Sequence, residues 1–252
     1  MEYLVLGPAS MGIFAMLGGL VKHADDLGTI KEISGSSAGA ILAVALGLDI
    51  PFHDILDRLL ALDIENLTRF TLRCFLTTYG LVDMGPIRAA LVACYGGGDP
   101  TFADLKRKVY VSAYCLNRAR TEYFSVDTHP NMKVADAVCM SIAIPFLFSS
   151  VTHEGRIYID GCTKEYVPVT PFVDKRPDKI MCVRLKRAEH YVDEITNLKE
   201  FMHAMLTSAV QVPDTNTIRF GRVVEIDTGQ LDLYDFTMSH DDKLRMYLTG
   251  CV

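Results

Sequence analysis

Hydrophobic and polar positions along the chain fall into short blocks rather than one sustained period. Residues 2–6 form an apolar, β-prone run that breaks at Gly7-Pro8-Ala9-Ser10, and residues 12–26 then read as a helix buried along most of its length. After Gly28, residues 29–33 predict a second strand, followed by Ser34-Gly35-Ser36-Ser37-Ala38-Gly39 and a small-residue helix over 40–48. Residues 51–94 read as helical, with Ile55, Leu59 and Leu62 spaced three and four apart.

Further along, 108–114 and 120–126 predict strands, and 133–142 predicts a helix stopped by Pro145. Residues 149–152 and 156–159 flank His153-Glu154-Gly155 and predict a hairpin. An apolar strand over 179–185, a long helix over 192–210, a last strand over 222–226 and a closing helix over 239–248 complete the order. Strands alternating with helices of these lengths imply an α/β fold, with a mainly parallel sheet covered on both faces.

The chain has 252 residues, 50% of them hydrophobic, and no low-complexity tract, repeat or linker interrupts it, so a single domain over 1–252 is expected. The formal net charge of −6 argues against nucleic acid as a partner, because such binding rests on neutralising phosphates. Lys106-Arg107-Lys108 is the densest basic run and reads as a solvated turn. Seven cysteines without a CxxC or Cys/His zinc spacing fit reduced thiols in a cytoplasm, with no metal expected. Residues 3–21 lack charge, but Gly7, Pro8, Gly12, Gly18 and Gly19 argue for a strand, loop and buried helix over a membrane span. Glu2 stands where a secretory signal would carry a cation. Membrane contact is therefore expected to be peripheral.

Gly35-Ser36-Ser37-Ala38-Gly39 matches the G-x-S-x-G nucleophile elbow. Glycines on either side let strand and helix approach each other. The serine oxygen then stands at a helix N-terminus, whose amides and dipole favour developing negative charge. The motif alone also fits a serine helix cap; the strand before it and the helix after it favour a nucleophile.

The general base is not an obvious histidine. Of His23, His53, His129, His153, His190, His203 and His240, His153 is best placed, yet it lies at a Glu-Gly turn. Residues 156–160 instead form an apolar strand running into Asp160-Gly161. An aspartate ending a strand of a parallel sheet stands where ligands bind, in reach of Ser37, although an Asp-Gly turn is common.

Gly7 to Gly12, Gly35 to Gly39 and Asp160-Gly161-Cys162 occur in the order found in patatin-like phospholipases, and the chain resembles that family along nearly its whole length. Supporting phrases are Tyr79-Gly80-Leu81, Thr101-Phe102-Ala103-Asp104-Leu105, Ala135-Asp136-Ala137-Val138 and Ser141-Ile142-Ala143-Ile144-Pro145-Phe146. The resemblance implies a three-layer α/β/α sandwich with a Ser37–Asp160 dyad and an acyl-enzyme intermediate. It also implies an oxyanion loop over Gly7, Pro8, Ala9, Ser10, Met11 and Gly12, a lipid or phospholipid substrate, and no cofactor.

The loop departs from the family pattern G-G-G-x-Arg/Lys-G. Pro8 has no N–H to donate and Met11 replaces the cation, which leaves Ala9, Ser10 and Met11 as candidate backbone donors. Cys162 replaces the small third residue of Asp-Gly-Gly. A lipid-binding pseudoenzyme or an acyltransferase using the same dyad fits these residues too. Leu72, Phe75, Leu76 and Leu81 are candidates for an acyl pocket or lid. A dinucleotide loop is disfavoured by Ala9 in the middle glycine position.

Overall fold

A mixed sheet of eight strands organises the chain, whose computed structural model describes residues 1–186, 194–196, 200–201, 204, 220–229 and 233–252. The helix expected over 192–210 lies outside the described residues except at isolated positions. In chain order the elements begin β1 (Tyr3–Leu6), α1 (Ile13–Lys22), α2 (Ala24–Leu27), β2 (Glu32–Ser36), α3 (Ala38–Gly47) and α4 (Phe52–Leu60). There follow α5 (Ile64–Leu67), α6 (Leu72–Thr78), β3 (Gly80–Val82), α7 (Met84–Cys94), β4 (Lys108–Cys115), β5 (Arg120–Phe124) and α8 (Val134–Ser141). The last are β6 (Phe146–Phe148), β7 (Val151–His153), β8 (Arg156–Asp160), β9 (Ile180–Leu185), β10 (Arg222–Ile226) and α9 (His240–Cys251).

Strands β10, β9, β1, β2 and β4 run parallel, while β5 and β8 pair antiparallel to β4, and β7 antiparallel to β8. The parallel strands are buried on both faces, and period-two alternation splits their side chains between two cores. Leu4 and Leu6 join the larger core with α1 and α3, whereas Val5 packs with Val167, Val169 and Phe172 on the other face. The architecture is α/β, a mixed central sheet flanked by helices.

Several boundaries differ from the sequence pattern. The second strand is Glu32–Ser36, not 29–33, because pairing with β1 and β4 on both sides holds Ser34, Gly35 and Ser36 extended despite their weak β-propensity. The helix expected over 12–26 divides at His23, which leaves helical geometry at φ −108° and ψ 23°. The 51–94 region is not wholly helical: Gly80–Val82 pairs in parallel with Phe146–Phe148 to make a separate two-stranded sheet.

The edges of β4 fix the most consequential relationship. β5 occupies one edge along residues 111–115, so β2 at 108–112 and β8 at 113–115 must share the other. β2 rises to Ser36 opposite Ser112, and β8 descends to Asp160 opposite Ala113. The C-terminal ends of the two strands therefore meet head to head. Asp160 does not end a parallel strand, as the sequence argument supposed; it arrives from the opposite direction.

Candidate active site

Ser37 sits in the turn between β2 and α3 with φ 53° and ψ −131°, a region non-glycine residues rarely occupy and which costs about 1–3 kcal/mol. Close packing imposes the turn. A Cβ on Gly39 would lie 2.3 Å from the Gly7 carbonyl oxygen, and one on Gly35 would lie 2.7 Å from Ala40 Cα. The turn therefore admits no side chain at either glycine without displacing backbone. On its other side, the Ser37 amide donates a 2.9 Å hydrogen bond to Ser141 Oγ at the end of α8.

Ser37 Oγ donates to Asp160 Oδ2 at 2.7 Å. Both residues are buried, at 5% and 2% exposure. The Asp160 amide donates to the Ala143 carbonyl at 2.9 Å, and Asp160 Oδ1 accepts from the Cys162 amide at 2.9 Å. The Cys162 side chain also hydrogen-bonds the carboxyl. Cys162 thus braces the carboxylate through its backbone as well as its side chain. Gly161 is obligatory at the junction, since a Cβ there would stand 2.3 Å from the Ser112 carbonyl oxygen.

Burial raises the Asp160 pKa; the hydrogen bonds from Cys162 and Ser37 oppose that rise without cancelling it. No described cation pairs with this carboxylate. The group is therefore a stronger proton acceptor than an exposed aspartate, and it is held against the Ser37 hydroxyl. Among the described residues no histidine hydrogen-bonds Ser37 or Asp160, and His153 sits on β7 beside the far end of β8. His190 and His203 lie outside the described residues.

The loop from Gly7 to Gly12 lies beside Ser37, but most of its amides are committed. Gly7 donates to Val183 O at 3.0 Å, Met11 to Leu233 O at 3.0 Å and Gly12 to Ala9 O at 2.8 Å. Pro8 has none to give. Met11 is accordingly not available as an oxyanion donor. The amides of Ala9 and Ser10 have no acceptor among the described residues, and Ala38, first in α3, has no intrahelical one. Met11 itself is buried in an apolar wall, where the family's cation would be surrounded by hydrocarbon.

That wall belongs to a cavity of about 130 Å³ containing Ser37. Its other sides are Ile41 of α3, Leu59 of α4, Leu62, Ile64 and Leu67 around α5, Ile87 and Leu91 of α7, and Ile142, Ile144 and Phe148. Phe75, Leu76 and Leu81, expected as pocket residues, do not line it, and Leu76 is 76% exposed. The Leu72 side chain lies outside the described residues. The pocket residues were not legible because they come from five helices, α1 among them through Ile13 and Phe14, that only the fold brings together. Ser141 was equally hidden: nothing in a serine near a helix end distinguishes a brace from a cap.

The chain is 28% identical over 171 residues to uncharacterized protein R571 of Acanthamoeba polyphaga mimivirus, covering 64% of this chain and 58% of that one. It is 28% identical over 142 residues to a cGAMP-activated phospholipase of Pseudomonas aeruginosa, covering 51% of this chain and 41% of that one. Among solved structures, VipD of Legionella pneumophila superposes over 99% of this chain and 65% of its own, with a TM-score of 0.63 at 16% identity. The type III effector ExoU superposes over 99% of this chain and 51% of its own, with a TM-score of 0.52 at 16% identity. The chain thus spans about half the length of the curated relatives it matches, and the structural likeness speaks to fold alone. The family model for patatin-like phospholipases matches residues 5–173, a span holding Ser37, Asp160 and the loop between Gly7 and Gly12. The chain belongs to the patatin-like phospholipase family.

Proposed function

We propose that this chain is a lipid acyl hydrolase of phospholipase A type, with Ser37 as nucleophile and Asp160 as its base. The observation that carries this reading is the 2.7 Å hydrogen bond from Ser37 Oγ to Asp160 Oδ2 at the floor of an apolar cavity. Ser37 Oγ attacks the ester carbonyl while its proton passes to Asp160. The oxyanion meets the Ala38 amide, the amides of Ala9 and Ser10, and the N-terminus of α3. Collapse expels the alcohol, which takes the proton from Asp160. Asp160 then deprotonates a water that releases the fatty acid and restores Ser37. The reaction asks for no metal or organic cofactor.

At about 130 Å³ the cavity is slightly smaller than the roughly 150 Å³ that accepts a benzene-sized apolar guest. It therefore suits the carbonyl end of an acyl chain, and a longer chain must continue through the mouth. Phe146, two residues before the cavity-lining Phe148, is exposed, as are Phe70 and Tyr79 beside β3 and the neighbouring Arg69. This exposed, apolar and partly cationic group of side chains supports peripheral contact with a lipid surface. No helix among the described residues is long and apolar enough to cross a membrane. The absence of disulfides among the described cysteines supports a cytoplasmic setting. β10 and α9, beyond the matched span, join the same sheet and core, which supports reading 1–252 as one domain.

The test is fatty-acid release from phospholipid mixed micelles by wild type and Ser37→Ala, with products resolved in the presence of a competing alcohol. Free fatty acid from wild type alone supports the hydrolase; transfer to the alcohol in preference to water would make it an acyltransferase. Acyl-chain binding without turnover would leave a pseudoenzyme, a reading that the missing Pro8 donor favours.

A further inference from the structure

His129, His153 and Glu154 stand together away from Ser37, and one donor atom from each lies within 4.8 Å of the others. The two rings, 6.0 Å apart between centroids, both pack on Phe124, His129 at 4.9 Å and His153 at 6.0 Å. His129 Nδ1 and His153 Nε2 are each buried without a hydrogen-bond partner among the described residues. A buried polar atom left unpaired is costly, and such atoms generally mark an ion or an ordered water. The cluster offers one nitrogen from each ring and one carboxylate oxygen, a donor set of two nitrogens and one oxygen.

We propose that His129, His153 and Glu154 bind a divalent transition-metal ion of the zinc class. Imidazole and carboxylate together suit zinc, whereas calcium and magnesium take oxygen donors. Around a tetrahedral ion at about 2.1 Å the donors would stand roughly 3.4 Å apart. Exposed Glu154, at the tip of the β7–β8 turn, faces Arg156 at 3.6 Å and would exchange that solvent-exposed ion pair for the metal to close the remaining gap. Three protein ligands leave the fourth position to water.

The ion would be structural rather than catalytic. His129 lies in the loop between β5 and α8, and His153-Glu154 lies at the turn between β7 and β8. One bound ion would therefore tie β8, which delivers Asp160, to the loop leading into α8, which ends in the Ser141 that braces Ser37. The ligands are spread over 129 and 153–154, so no zinc-like spacing announces them in the sequence. This inference stands independently of the acyl-hydrolase reading.

The test is calorimetric titration of the full chain, stripped with chelator and reduced, with Zn²⁺, together with Co²⁺ absorption and thermal melts. One equivalent should bind and raise Tm. The cobalt spectrum should lack the intense near-ultraviolet thiolate band, since no cysteine takes part. His129→Gln and His153→Gln should abolish that equivalent. Glu154→Gln, a change at an exposed turn that leaves the fold intact, should weaken it about tenfold or more. Absence of stoichiometric uptake by folded wild type would overturn the proposal and leave water as the partner of both imidazoles. Uptake unchanged in Glu154→Gln and both histidine variants, or a thiolate spectrum, would overturn it in favour of the cysteines.

Discussion

Ser37 and Asp160 lie 123 positions apart in the chain, yet share a 2.7 Å hydrogen bond because β2 and β8 end head to head along one edge of β4. Neither strand alone defines the site. β4 acts as a common ruler: Ser112 sets the level of Ser36, and its neighbour Ala113 sets that of Asp160. A two-residue slip of either strand would move its end by about 7 Å and separate the pair.

Replacing Asp160 by Asn should separate stability from activity. The buried carboxylate has no described cation beside it, so its ionised form costs the fold stability. Because the folded-state pKa is raised, this contribution is most favourable below the unfolded pKa and is lost as pH rises through the folded one. Asp160→Asn should therefore be more stable than wild type at neutral pH by about 1 kcal/mol, or about 2–4 °C in Tm. The gain should vanish in acid, where wild type is protonated. Hydrolysis should fall about 10²–10⁴-fold. Thermal melts at two pH values alongside esterase rates check both halves.

The same burial sets the pH profile. The base works only as carboxylate, so kcat/KM should fall with decreasing pH through the raised Asp160 pKa. The acidic limb should consequently lie above that of an exposed aspartate. A rate profile on a soluble ester would contradict this if its limb lay where an exposed aspartate titrates.

Backbone strain at Ser37 predicts an order among inactive variants. At φ 53° glycine is comfortable and alanine is not. Ser37→Gly should be more stable than Ser37→Ala by about 1 kcal/mol, visible in urea midpoints at unchanged m-value. Equal midpoints would mean that the turn stores no strain.

Ser141→Ala should cost about 1–3 kcal/mol, because the buried Ser37 amide loses its acceptor. It should also slow acylation of Ser37 while leaving the Asp160 hydrogen bond in place. Denaturation and labelling kinetics on the one variant separate the two effects.

Much of this was legible in the residues themselves. The run from β1 through the Gly7–Gly12 loop to α1 announced itself by apolar blocks punctuated with glycine and proline, and the elbow and Asp160-Gly161 by motif. What stayed hidden depended on pairing across distance. Ser34, Gly35 and Ser36 are extended only because β1 and β4 hold them, and the three-residue strands β3 and β6 exist only as each other's partners. The direction of β8 and the cavity walls from Leu59, Leu62, Ile64 and Leu91 are likewise products of topology. The commitment of the Met11 amide to Leu233 spans the whole chain and leaves no local trace.

The most direct test of the central claim is reaction with a fluorophosphonate, read by intact mass and peptide mapping on wild type, Ser37→Ala and Asp160→Asn. The dyad predicts one rapid adduct on Ser37 in wild type, none in Ser37→Ala and a much slower adduct in Asp160→Asn. Folded wild type that stays unlabelled, or an adduct that persists in Ser37→Ala, would contradict it.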